Sequence, residues 1–365
     1  MAGIFGSAAS SSTANPTQGD LKNDVALNNP PEDSISDLCF SPQPNPGNPS
    51  TELLCVASWD KKVRIYEIDS NGQSQGKALW DHDAPVLSCA FSKDGTMAFG
   101  GGADKMAKKF DLNTGQATQV AAHDQPVSCV ETIVAGGNQM LVTGSWDKTV
   151  KYWDLRQQQP AATLECPERV YSMDVRNTML VVGTADRWIS IVDINTPTTF
   201  YKKMQSPLKW QTRVVSCFTD ATGFAVGSIE GRCAIQYRED SQQGNNFSFK
   251  CHRQTSTTDR NVSDVYSVNA ISFHPEHGTF STAGSDGAFH FWDKDAKHRL
   301  KGYPSVGAPI TATDFNRTGA IFAYAISYDW SKGYQHNTQS IPTKVMLHPV
   351  QGDECKPRPK APGRK

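Results

Sequence analysis

This chain of 365 residues lacks three things, and each absence removes a class of protein. No run of about 18 apolar residues occurs, so no segment is suited to cross a bilayer as a helix. No Cys-x-x-Cys pair occurs, and the nine cysteines are an odd number. Most of them sit in apolar, strand-like runs, as Cys89 and Cys129 do. Reduced, buried thiols are therefore expected rather than a disulfide frame, and with them a soluble intracellular protein. Neither charge is in excess: 36 Lys and Arg face 37 Asp and Glu, which gives no general pull toward nucleic acid or an anionic membrane. Residues 1–20, rich in Ser and Ala, have neither a basic start nor an apolar stretch. They read as a disordered leader rather than a secretion signal, and the single Phe5-Gly6 reads as part of it.

Apolar residues are plentiful: 38% of the chain is hydrophobic, including eight Trp and sixteen Phe, which is enough to fill cores and excludes wholesale disorder. They recur in units. The clearest joins His123-Asp-Gln-Pro-Val-Ser-Cys-Val130 to Leu141-Val-Thr-Gly-Ser-Trp-Asp-Lys-Thr-Val-Lys-Tyr-Trp-Asp154. A near copy starts at His82, and further copies centre on Trp59-Asp60, Ala185-Asp186 and Ser285-Asp286. Two degenerate copies surround Glu230 and Asp329. The turn acids at 60, 104, 147, 186, 230, 286 and 329 are separated by 44, 43, 39, 44, 56 and 43 residues. The one long interval holds the polar stretch 238–261. Seven such units of alternating strands around a tight turn predict an all-β, seven-bladed β-propeller.

The units resemble the WD40 family over nearly the whole chain after residue 20. The resemblance implies a turn Asp that accepts backbone amides and pairs with a His before the first strand, with a Ser or Thr and a Trp completing the network. His123, Ser145, Asp147 and Trp153 match all four places. Blade two keeps His82 and Asp104 but has Phe110 in place of Trp, and Asp186 and Asp286 take the same structural role. Blade five has Glu230 with neither His nor Trp, so its network is expected to be partial. In the last unit an apolar run returns only at Thr343-Lys-Val-Met-Leu347, read as a third strand reached by a long loop. The missing fourth strand is expected from Lys22-Asn-Asp-Val-Ala-Leu27, an N-terminal strand that closes the ring.

Enzyme motifs are missing as well. Neither a dinucleotide or mononucleotide loop nor a zinc-protease or serine-hydrolase signature occurs. Gly100-Gly-Gly102 lies in a blade strand before a β-turn, not before a helix, so it reads as packing. The His residues lack metal-ligand spacing, and the acids recur once per blade. No catalytic residue, cofactor or metal is expected, and function falls to surfaces. Cations gather on units five and six, at Arg213, Arg232, Lys250, Arg253, Lys294, Lys297 and Arg299, with Phe249 and Trp292 among them. Arg beside aromatics is the composition of interface hot spots. The expected partner set is Arg213, Arg232, Phe249, Lys250, Trp292, Asp293, Lys294, Lys297, Arg299 and Leu300.

A narrower resemblance rests on Pro30-Pro-Glu-Asp-Ser-Ile-Ser36, Ser58-Trp-Asp-Lys61, Gly227-Ser-Ile-Glu-Gly-Arg232, Phe249-Lys-Cys-His-Arg253, Phe291-Trp-Asp-Lys-Asp-Ala296 and the run YAISYDWSKG from Tyr324 to Gly333. Together these strings look like the Rae/Gle-type mRNA export factors. That resemblance implies a propeller at the nuclear pore and nuclear rim, able to shuttle to the cytoplasm, that binds the GLEBS segment of a GLFG-repeat nucleoporin. A sister family, the Bub-type mitotic checkpoint propellers, shares Leu-Lys-x-Gln-Thr-Arg and Ile-Glu-Gly-Arg, and implies an adaptor for phosphorylated or acidic peptides at kinetochores. The YDWSKG segment and the basic end favour the export factors, and a ubiquitin-ligase substrate receptor has no distinctive pointer here. Lys297-His-Arg299 departs from the family pattern.

Residues 351–365 hold five basic residues against two acids, so the rest of the chain is net −4. This Pro-rich end is read as a tail whose Lys356, Arg358, Lys360, Arg364 and Lys365 touch RNA or messenger ribonucleoprotein weakly, by charge. The expected organisation is a leader to 20, a propeller over 21–350 and the tail.

Overall fold

In a computed structural model, residues 18–256, 258–259 and 261–358 are described. Seven four-stranded antiparallel sheets follow one another along the chain. The first strand of each sheet packs against the first strands of both neighbours, and that of the seventh packs against that of the first, so the sheets form a closed ring of blades around a channel. Burial follows from this placement. First strands such as Val86–Phe91 are covered along nearly their whole length by two neighbouring blades. Fourth strands at the rim alternate, and Phe200–Gln205 switches between half-buried and exposed at every residue. The core is correspondingly divided into inter-blade clusters, such as the one that joins Val142 and Tyr152 of blade three to Leu180 and Val182 of blade four.

Closure occurs as the sequence implies. Blade seven contains Ile310–Phe315, Ile321–Ile326 and Lys344–Pro349, and its fourth strand is Val25–Ala26, with Val25 opposite Leu347 and Ala26 opposite Met346. The Leu27 amide adds a bond to the Val345 carbonyl at 2.8 Å. A sheet that takes strands from both ends of the chain leaves no free edge between the first and last blades.

Both chain ends stay on the ring further than composition suggests. Gln18 bridges to Gly302, and the Gly19 amide donates to the Gly302 carbonyl at 3.0 Å, so the propeller begins before residue 21. At the other end Cys355 is buried against blades six and seven, and its carbonyl accepts from Thr279 Oγ1 at 2.7 Å. Residues 351–356 thus belong to the folded ring. Lys360, Arg364, Lys365 and the Phe5-Gly6 pair lie outside the described residues.

The long interval between units five and six is filled by a 3-10 turn, Asp240–Asn245, and by an extra hairpin that pairs Arg253–Thr255 with Ser263–Val265. The three glycines at 100–102 end the strand Met97–Gly102. A Cβ on Gly101 would stand 2.4 Å from Val130 Cγ2 of the next blade, so their smallness serves inter-blade packing.

Candidate docking surfaces

The turns between second and third strands all lie on one face of the ring, because successive antiparallel strands reverse direction. On this face His123 Nδ1 lies 2.8 Å from Asp147 Oδ2, His123 Nε2 lies 2.7 Å from Thr143 Oγ1, and Trp153 Nε1 donates to the same Thr143 oxygen at 2.8 Å. The bridge is therefore Thr143 and not Ser145, which corrects the sequence assignment. Ser145 Oγ instead accepts the Asp147 amide at 3.1 Å and donates to the carbonyls of Gln125 and Pro126. Burial alone would raise the Asp147 carboxyl, but hydrogen bonds from Thr149 and the His123 pairing hold it below its usual range. Burial also lowers His123 despite the neighbouring carboxylate, so the imidazole is held toward its neutral form.

Blade six repeats this network with His252, Asp286, Thr282 and Trp292: His252 Nδ1 is 2.9 Å from Asp286, and Thr282 Oγ1 is 2.9 Å from both His252 Nε2 and Trp292 Nε1. His252 escapes the sequence reading because the extra hairpin stretches its spacing to the Asp to 34 residues, against 22 and 24 in blades two and three. Blade two keeps its 2.8 Å His82–Asp104 contact, but Gly100 replaces the Thr and His82 Nε2 is left buried without a partner. Blade one has no His before its first strand, and Asp60 is met instead by Arg64 of its own third strand at 2.7 Å. Asp186 departs from the expected role. It is exposed in a left-handed conformation, φ 58°, at the turn itself, so it shapes the backbone rather than a buried network.

The ten residues expected at the partner site do not form one patch. Cys233 and Ile235 on the third strand of blade five, and Phe247 and Phe249 on the fourth, pack toward blade six, as Trp292 packs toward blade five. Phe249 and Trp292 have ring centroids 4.5 Å apart. Lys297 Nζ lies 5.0 Å from the Phe247 ring centre, and Arg299 is opposite Trp292 on the neighbouring strand. These residues make a groove at the outer rim between blades five and six, with a half-buried aromatic floor and exposed Lys297 and Arg299. Phe247 is the member missing from the expected set, and its spacing of two from Phe249 was the available signal.

Strand alternation puts Arg232 and its cross-strand partner Lys250 on the other side of the same sheet. Arg232 also approaches Glu230 at 3.9 Å. Arg213 is exposed at the mouth of the channel. Three calls are corrected by burial. Leu300 is a core residue at 3% exposure, and Asp293, also 3% exposed, accepts the Asp295 and Ala296 amides at 2.9 Å each. Lys294 turns inward to lie 5.1 Å from the Phe218 ring centre, with 11% of its side chain exposed and Asp295 at 3.0 Å. It sits at the edge opposite the turn acids.

A surface that sequence reading missed lies on the turn-bearing face. Trp146, Trp210, Ile229, Val262, Val265 and Tyr334 are all exposed there, Trp210 to 60% and Tyr334 to 76%. Trp146, Ile229, Val265 and Arg213 border the mouth of a central channel of about 1720 Å³. Exposed apolar groups gathered around one opening, as Trp146, Ile229 and Val265 are, mark an interaction surface, whereas isolated ones do not. Each belongs to a turn or to an inter-blade connection, Val265 in the short extra hairpin and the others outside the strands, and so leaves no periodic signature. Among the described tail residues, Lys356 and Arg358 are exposed near the other edge.

A closed ring of seven blades in which blades three and six carry complete His–Asp–Thr–Trp networks is a WD40 propeller. In agreement, the family described as WD domain, G-beta repeat matches residues 73–111, 115–154 and 249–293. The chain is 67% identical to mRNA export factor GLE2 of Chaetomium thermophilum, over 98% of this chain and 99% of that one. It is 57% identical to the Poly(A)+ RNA export protein of Schizosaccharomyces pombe (98% and 99% covered), and 45% to Protein Rae1 of Drosophila melanogaster (92% and 96%). The chain belongs to the Rae/Gle-type family of WD40 mRNA export factors. Among the described residues no helix is long and apolar enough to cross a membrane.

Proposed function

We propose that this chain is a non-catalytic scaffold in nuclear mRNA export that docks at the nuclear pore by binding the GLEBS segment of a GLFG-repeat nucleoporin. The observation that carries this reading is the exposed arc of Trp146, Ile229 and Val265 around the channel mouth with Arg213 among them, and with exposed Trp210 three residues before Arg213 and half-buried Arg232 three residues after Ile229. A segment with apolar and acidic residues finds both complements there: apolar side chains displace water from the arc, and carboxylates pair with the guanidinium groups. The rim groove between blades five and six suits a different chain. Its aromatic floor stacks bases, and Lys297 and Arg299 neutralise phosphates, so it serves contact with RNA in the messenger ribonucleoprotein. Lys356, Arg358 and the rest of the basic tail add to that contact by charge.

The reading is tested in cells whose own copy is replaced by a Trp210→Ala, Ile229→Ala double variant. Staining at the nuclear rim should fall and polyadenylated RNA should accumulate in the nucleus. Normal rim staining and normal RNA distribution, with the variant expressed at the wild-type level, would contradict it.

A further inference from the structure

Three thiols that are far apart in sequence converge beside the channel. Cys39 lies on the first strand of blade one, Cys55 is its direct cross-strand partner on the second, and Cys89 comes from the first strand of blade two. Their sulfur atoms all lie within 4.8 Å of one another, and those of Cys39 and Cys89 are 3.9 Å apart. Cys39 and Cys89 line the channel, while Cys55 is fully buried behind them. We propose that Cys39, Cys55 and Cys89 form a three-coordinate site for a soft monovalent cation, copper(I), reached through the central channel.

The geometry favours an ion over the two simpler uses of cysteine. A metal–sulfur bond of about 2.3 Å in a planar three-coordinate site sets the sulfurs about 4.0 Å apart, close to what the fold already provides. A disulfide needs two sulfurs at about 2.0 Å and gives the third no role. Ordinary core packing accounts for buried thiols one at a time, as at Cys129 or Cys217, but does not require three from two blades to meet. Thiolates alone, without imidazole, select soft ions such as copper(I) over harder ones. Each thiol that ligates releases its proton to channel water. The strands that carry the ligands are fixed by their ladders, so the site is largely preformed.

The test uses the reduced full-length protein under anaerobic conditions, titrated with copper(I) held by the chromophoric chelator bicinchoninate. One copper(I) per chain should be withdrawn from the chelator. Cys39→Ser or Cys89→Ser should weaken retention at least about 100-fold, whereas Cys129→Ser should leave it unchanged. Should a ligand variant fail to fold, X-ray absorption of the loaded wild type decides, with three sulfur neighbours at about 2.3 Å expected. No retained copper, retention insensitive to Cys39→Ser in a folded variant, or a copper coordinated by nitrogen or oxygen would overturn the assignment. Loss of two thiols to a disulfide, with no ion held by the reduced chain, would overturn it equally.

Discussion

His348, on the third strand of blade seven, and Asp24, just before the strand that completes that blade, meet at 2.7 Å across 324 residues of chain. Glu354 approaches the other ring nitrogen of His348 at 3.3 Å, and the Tyr324 hydroxyl donates to Asp24 at 2.6 Å. One small network therefore ties the N-terminal strand, the third strand of blade seven and the C-terminal segment together. Burial would lower the His348 imidazole, but bonds to Asp24 and Glu354 outweigh it and raise its pKa to about 9.

A raised histidine pKa contributes stability that is fully present below the unfolded value, near 6.5, and is lost as pH rises through about 9. The contribution is on the order of 3 kcal/mol for a side chain this well covered. Melting curves between pH 7 and pH 10 should therefore show a decline that Asp24→Asn largely removes, while lowering stability at pH 7. An equal decline in wild type and variant would place the pH dependence elsewhere.

Asp147→Ala should cost about 2–4 kcal/mol, because it strips His123, Thr149 and two turn amides of their acceptor. Thr143→Val, which removes the bridge between His123 and Trp153, should cost about 1–3 kcal/mol and more than Ser190→Ala, whose hydroxyl has no partner. Chemical denaturation measures all three. A Thr143→Val variant as stable as wild type would show that the bridge adds nothing.

Gly101→Ala tests inter-blade contact in isolation from chemistry. The added methyl meets Val130 Cγ2 at 2.4 Å and Val127 Cγ1 at 2.7 Å, so the strands must separate. A loss of about 1–3 kcal/mol is expected. Adding Val130→Ala should recover part of it, and the absence of any recovery would locate the strain elsewhere.

For RNA, the groove and the tail make separable contributions. Lys297→Glu with Arg299→Glu should weaken binding of a single-stranded oligonucleotide and flatten its dependence on salt. Phe249→Ala should weaken binding without changing that slope, since stacking releases no counterions. Deleting residues 357–365 should lower the slope while leaving the stacking contribution intact. Fluorescence anisotropy at several salt concentrations measures each, and an unchanged affinity in all three variants would remove RNA from both places.

The ring was legible because its period is carried by turn acids, which recur regardless of how strands pack. Its closure was legible from a sheet short of one strand. The partner residues were less so. Trp292 and Leu300 lie in a string rich in charge, but the ladder turns Leu300 inward and gives the Trp292 indole to Thr282. Arg232 and Phe249 are near neighbours in the ring, yet pleating separates them onto two faces of one sheet. Which side a residue takes depends on register, and register depends on bulges such as the shift between Phe291 and Trp292. The thiol cluster was invisible for a similar reason: only the strand pairing and the contact between blades one and two bring its members together.

The central claim concerns the turn-bearing face and is tested by calorimetric titration of a GLEBS peptide into wild type, Trp210→Ala, Arg232→Glu and the Lys297→Glu, Arg299→Glu pair. Arg232→Glu sets a carboxylate beside Glu230 and against the acidic residues of the peptide, and should weaken binding at least about 30-fold, or about 2 kcal/mol. Trp210→Ala should weaken it comparably, each variant retaining the wild-type melting curve, while the groove pair binds as wild type does. Full affinity in Trp210→Ala and Arg232→Glu, with loss confined to the groove pair, would place the nucleoporin at the rim between blades five and six and contradict the account.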